Sequence, residues 1–249
     1  MNYIFIILLL LPQVLTLRNP ADRNLPARMA LHIIHKFGEE ELKLDKGYTT
    51  FLGDKITLTK FKYYLSNIEL IQNDGSVWRQ PKSYHLMEVN DETSSAFQIN
   101  LENIPLGEYT QLSFSIGVDS VNNHSGKQEG VLDPDYGMFW MWETGYVFFK
   151  IEGFYQTPIG SKGAMVYHVG RDNCYRKINL KIPSNQRQVN QDVNSQLYVI
   201  ADLKKVFGGF PNASIDLKAP ADKSSISVMG GDKALKVANN FAQIFSIKK

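Results

Sequence analysis

The run Ile56–Ile71, ITLTKFKYYLSNIELI, constrains the fold of this chain more than any other segment. It is long and dense in β-branched and aromatic residues, which suit a pleated surface better than a helix. Asn73-Asp74-Gly75 follows at once, a hairpin turn signal because these residues tolerate positive φ. Met29–Phe37 shows the same strand character in its alternation. Leu31, Ile33, His35 and Phe37 share one face, and His32, Ile34 and Lys36 the other. Ser83–Val89, Phe97–Leu101, Tyr109–Val118, Tyr146–Phe154, Ala164–Val169, Tyr175–Ile182 and Gln196–Asp202 extend the series. About nine strands at these spacings predict an all-β fold, an antiparallel β-sandwich.

The two termini depart from this pattern. Asp232–Ile247 sets Leu235, Ala238, Phe241, Ala242 and Phe245 at helical spacing, so one C-terminal amphipathic helix is expected to close the domain. Tyr3–Leu11 is almost wholly apolar, too short for a membrane span and of the length of a signal-peptide core. Residues 1–17 are therefore read as a signal peptide and residues 28–249 as a single domain, placing the protein in the periplasm or outside the cell. No later stretch is apolar enough to span a membrane.

Composition narrows the function. The formal net charge is +2, from 27 basic and 25 acidic residues, which gives no electrostatic case for a nucleic-acid partner. One cysteine, Cys174, excludes an internal disulfide and a Cys-based zinc site, and is expected to be buried. There is no G-x-S-x-G elbow, phosphate-binding glycine loop or haem attachment motif, so the chain does not read as an enzyme. Asp133-Pro134-Asp135-Tyr136-Gly137 has the chemistry of a tight turn rather than of a catalytic carboxylate pair. Asn123-His124-Ser125 and Asn212-Ala213-Ser214 fit a glycosylation pattern that is common by chance.

The densest chemistry lies between Phe114 and Gly153, where Trp140 and Trp142 follow a polar loop that carries His124. The five histidines, His32, His35, His85, His124 and His168, form no short metal motif, so a metal site would have to be assembled from distant strands. His35 shares a face with Leu31 and Ile33 and should point inward, whereas His168 points away from Tyr167. Met138 could add a soft thioether but is expected to pack.

The pieces ITLTKFKYYLSNIEL, SYHLMEV, FSIGVDSVNNHSG, VLDPDYGMFWMWETGYVFFKIEG and YHVG, with HKFG at His35–Gly38, resemble the MbnP-like family. These are exported copper-binding proteins related to the methanobactin-associated protein and to copper-repressible surface proteins of methanotrophs. The resemblance implies a copper-binding β-sandwich in which one tryptophan is oxidised to kynurenine by a dihaem partner related to the MauG peroxidases. Matched residue by residue, Trp140 and Trp142 are the candidates for oxidation, and His35, His124 and His168 for the metal. The copper-binding surface proteins place Trp-x-His on an early strand where this chain has Tyr64-Leu65-Ser66, so that ligand pair is absent. The expectation is an exported copper-binding protein in metal acquisition or redox partnership. The alternative is a metal-free β-sandwich binding module at the cell surface.

Overall fold

A computed structural model describes residues 27–90, 96–141, 145–190, 195–219 and 224–248. The strands run in chain order as β1 (Ala27–Phe37), β2 (Glu40–Glu41), β3 (Gly47–Thr49), β4 (Lys55–Gln72), β5 (Val77–Arg79), β6 (Tyr84–Val89), β7 (Ala96–Ile104) and β8 (Gly107–Ile116). They continue as β9 (Phe139–Trp140), β10 (Gly145–Gln156), β11 (Lys162–Gly170), β12 (Arg176–Lys181), β13 (Gln188–Val189), β14 (Ser195–Asp202), β15 (Ser225–Val228) and β16 (Phe245–Ile247). Two α-helices complete the set, α1 (Ser120–Asn123) and α2 (Gly231–Ala242). Among the described residues no helix is long and apolar enough to cross a membrane.

The strands form two curled sheets. The smaller has the order β16-β14-β1-β2, with β7 also on β1; the larger has β12-β8-β4-β10-β11-β15, with short strands pairing along its path. The all-β sandwich is as expected, with two corrections. Two pairs are parallel, β1 with β14 and β11 with β15, because the chain returns to each partner by a long excursion rather than a hairpin. The strands also outnumber the expected nine, because segments of two or three residues such as β2, β9 and β13 carry too few side chains to show a period.

β4 organises the larger sheet, with β3, β5, β6, β8 and β10 all pairing along it. The Asn73-Asp74-Gly75 turn leads back into β5 as expected, with Gly75 at φ 88°. β4 is not one regular strand. Its register against β10 shifts between Glu152 and Gly153, so Thr59 is an extra residue on β4. Gly153 faces this bulge, and a Cβ there would lie 2.0 Å from the Thr57 carbonyl oxygen.

Side chains from the two sheets and α2 meet in one aromatic core. Phe241 of α2 stacks on Phe149 of β10 at 4.4 Å between ring centroids, and Phe245 meets Phe114 of β8 edge-on at 5.1 Å. Such pairs add about 1 kcal/mol each beyond their area burial. The helix is shorter than the sequence spacing implied: it ends at Ala242, and Phe245–Ile247 pairs antiparallel with β14. The exposed edge of β14 offers unpaired backbone groups, and satisfying them outweighs one more helical turn.

Candidate functional site

The tryptophan region is built where β10 begins. Trp140 of β9 pairs with Gly145 of β10, and Trp140 is 6% exposed. Its ring lies over the backbone of Gly170, the last residue of β11. A Cβ at Gly170 would stand 2.9 Å from Trp140 Cη2 and 2.3 Å from the Tyr146 carbonyl oxygen, so only glycine fits. Trp142 falls on residues 142–144, outside the described residues.

The polar loop before Trp140 closes over it as α1. Asp119 caps the helix by accepting from the Asn122 N–H, and its carboxylate also takes the Tyr84 hydroxyl. Asn123 is buried and works in two directions. Its Oδ1 accepts from the Tyr146 N–H at 2.8 Å, and its Nδ2 donates to Asp172 Oδ1 at 2.8 Å. A side chain so engaged is not available for glycosylation. Asp172 also takes Ser120 Oγ at 2.5 Å and His124 Nε2 at 3.0 Å on its other oxygen. Burial alone would raise the Asp172 carboxyl, but hydrogen bonds from Ser120, Asn123 and His124 outweigh it and hold the group below its ordinary range.

Arg171 sits between β11 and Asp172 at φ 71° and ψ 151°, a positive-φ extended conformation that costs a non-glycine residue about 1 kcal/mol or more. Asn123, His124, Trp140, Gly145, Arg171, Asp172 and Asn173 line an open pocket of about 370 Å³. The structure thus places His124 and Trp140 in one pocket wall, together with Asn123, Arg171 and Asp172. Arg171 and Asp172 escaped the sequence reading, and Asn123 entered it only as a glycosylation candidate. The one signal for Arg171 and Asp172 is the polar break Arg171-Asp172-Asn173 after an apolar strand.

His35 and His168 occupy other settings. His35 is fully buried on β1, hydrogen-bonded through Nε2 to the Tyr63 hydroxyl at 2.8 Å and ringed edge-on by Phe61, Tyr63 and Phe97. It points inward as expected. His168 is half-buried on β11 and bonds Glu152 Oε1 at 2.7 Å. Burial and the Lys150 and Lys60 cations together hold its imidazole below the usual range, against the pull of Glu152. Met138 is fully buried and Cys174 nearly so, with burial raising the thiol. Asp133 caps the turn at Pro134–Tyr136 by accepting from the Asp135 N–H, the turn role that its sequence indicates.

Copper held by two or three imidazoles requires those rings to converge. His35, His124 and His168 each bond a different partner, Tyr63, Asp172 and Glu152. Among the described residues no three His, Cys, Asp or Glu side chains group as a metal would need. The pocket beside Trp140 offers one imidazole and one carboxylate, already hydrogen-bonded, with an arginine in its wall. The arrangement does not fit a three-histidine copper centre.

No curated protein matches the chain significantly. A solved structure, MbnP from Methylosinus trichosporium, superposes with a TM-score of 0.50 at 17% identity, over 78% of this chain and 81% of that one. At this identity the likeness speaks for the fold. The profile of the MbnP family matches residues 26–229, from the start of β1 to just past β15. With most of its length matched by that profile, the chain belongs to the MbnP family.

Proposed function

We propose that this chain is an exported MbnP-family protein that works through its tryptophan end, as the redox partner of a dihaem enzyme of the MauG kind. The observation that carries this reading is the seating of Trp140 in an open pocket with His124 and Asp172, one residue from exposed Met141. An indole held this close to the surface can pass electrons to a docked haem without touching it. Met141 at 67% exposure and Val121 of α1 at 81% give a partner apolar surface to cover. Trp140 and Trp142 are the residues such a partner would oxidise, with kynurenine as the product that the family resemblance implies. Metal acquisition through His35, His124 and His168 as one centre is not part of this reading.

The test is a peptide mass map of the protein from its native host, with a copper assay on the same sample. The expected result is a modified Trp140 or Trp142, with copper uptake unchanged in a His35→Ala/His168→Ala variant. Unmodified tryptophans would reject the redox reading. A second reading, a metal-free binding module at the cell surface, would then stand. It is favoured by the pocket wall of Asn123, His124, Arg171, Asp172 and Asn173, a mixture of amide and charged groups suited to a polar ligand.

A further inference from the structure

The far end of β10 carries a second unusual surface. The β3–β4 turn and the β10–β11 turn are built alike. In each, a threonine opens the turn and a glycine in the left-handed region closes it: Thr50 with Gly53 at φ 83°, and Thr157 with Gly160 at φ 88°. Gly53 N–H donates to the Thr50 carbonyl at 3.2 Å, and Gly160 N–H to the Thr157 carbonyl at 3.0 Å. The threonine hydroxyls accept from backbone N–H groups of their own turns, Asp54 at 3.2 Å and Ser161 at 3.0 Å. These turns are therefore held by backbone groups and by their threonine hydroxyls, the Leu52 N–H included.

Those central positions ordinarily take Gly, Pro or short polar side chains. Here they are Phe51 and Leu52 in one turn and Pro158 and Ile159 in the other, so Pro158 is usual there and Phe51, Leu52 and Ile159 are not. Phe51 and Leu52 are each 50% exposed and Ile159 is 84% exposed. The turns are neighbours, since a Cβ at Gly53 would lie 3.5 Å from Pro158 Cγ. Behind them, Phe154 at 58% exposure sits in an open groove of about 660 Å³ with Lys55 and Lys162 in its walls. Lys204 Nζ lies 4.6 Å from the Phe51 ring centroid. The one acid in either turn, Asp54, is buried and bonded to Thr50.

We infer that this end of the sandwich docks on an anionic lipid surface, with Phe51, Leu52 and Ile159 entering the interface and Lys55, Lys162 and Lys204 meeting the headgroups. Apolar side chains on rigid turns gain by leaving water for the acyl boundary. Lysines keep their ammonium groups at headgroup level while their stems lie along apolar surface. A negative surface attracts the cations in addition, and salt screens that part. The lysines select an anionic bilayer over a neutral one.

The experiment is co-sedimentation of the full chain with phosphatidylglycerol vesicles and with phosphatidylcholine vesicles, at low and high salt. A Leu52→Asp/Ile159→Asp variant and a Lys55→Gln/Lys162→Gln variant are run beside it. All three chains carry the same N-terminal apolar segment, so differences among them report the tip alone. Both turns retain their threonine and glycine in the variants, and melting curves confirm that each is folded. The expected result is binding to phosphatidylglycerol only, weakened about tenfold or more by the aspartates. The glutamines weaken it several-fold and remove most of its salt dependence. No binding to phosphatidylglycerol, or equal binding by the aspartate variant, overturns the proposal. Vesicle-free self-association that the aspartates abolish would assign the tip to a second copy of the chain and also overturn it.

Discussion

The two ends of β10 are built on opposite principles. At Gly145 the chain spends polar side chains to hold an aromatic one: Asn123 and Asp172 knit α1 to the end of β11, and Trp140 is pressed onto a glycine. At Gln156 the backbone of two tight turns holds itself, and large apolar side chains are left outside. Where side chains make the structure, substitution should destabilise it. Where backbone makes the structure, substitution should change only what the surface meets.

The sharpest test of that contrast is Gly170→Ala. The added methyl would meet the Tyr146 carbonyl oxygen and the Trp140 ring, and a loss of about 3 kcal/mol is expected. Denaturant unfolding and a shift in tryptophan emission would measure it, and an unchanged midpoint would show that Trp140 is loosely held. Asn123→Ala comes next. It leaves the Tyr146 N–H without its acceptor and Asp172 without one donor, at about 2 kcal/mol. Equal stability to the parent in urea would break the claim that this residue ties the region together.

Acid should read the same network. Because the folded Asp172 carboxyl lies below its ordinary value of 3.8, its contribution is complete above that value and is lost as pH falls through the folded one. Below about pH 4, therefore, the parent should lose stability more steeply than Asp172→Asn. Melting temperatures across the acid range, compared between the two chains, give the answer; parallel curves would refute it. The smallest effect is expected at the other end. Leu52→Asp/Ile159→Asp should change unfolding free energy by less than about 0.5 kcal/mol, since both side chains lie outside the core. A larger loss would show that the tip supports the core after all.

Most of the strand framework was legible because its strands are long and patterned. The run from Ile56 to Ile71 and the alternation of Met29–Phe37 both became strands close to where they were read, and His35 took the inward face that its parity required. What stayed hidden depends on partners rather than on local pattern. The bulge at Thr59 is visible only against β10, the parallel pairing of β1 only against β14, and the strand at Phe245 only against the edge it covers. The site divides in the same way. Trp140 and His124 stood out as residue types in an unusual stretch. Asp172, 48 residues beyond His124, joined them only through the fold. The same dependence separated His35 and His168 from His124, which sequence had grouped by resemblance.

The position of β1 in its sheet bears on how the chain can be made and moved. β1 begins at Ala27 and is flanked by β7 on one side and by β14, from Ser195, on the other. One edge can close early in synthesis, but the other waits for the last third of the chain. Until then a strand of alternating apolar residues presents open backbone, a template for the wrong partner as much as for the right one. Late closure of this kind slows folding, because distant segments must meet before either is rewarded. It also leaves the polypeptide threadable for most of its synthesis, so a narrow pore could pass it before the lock engages.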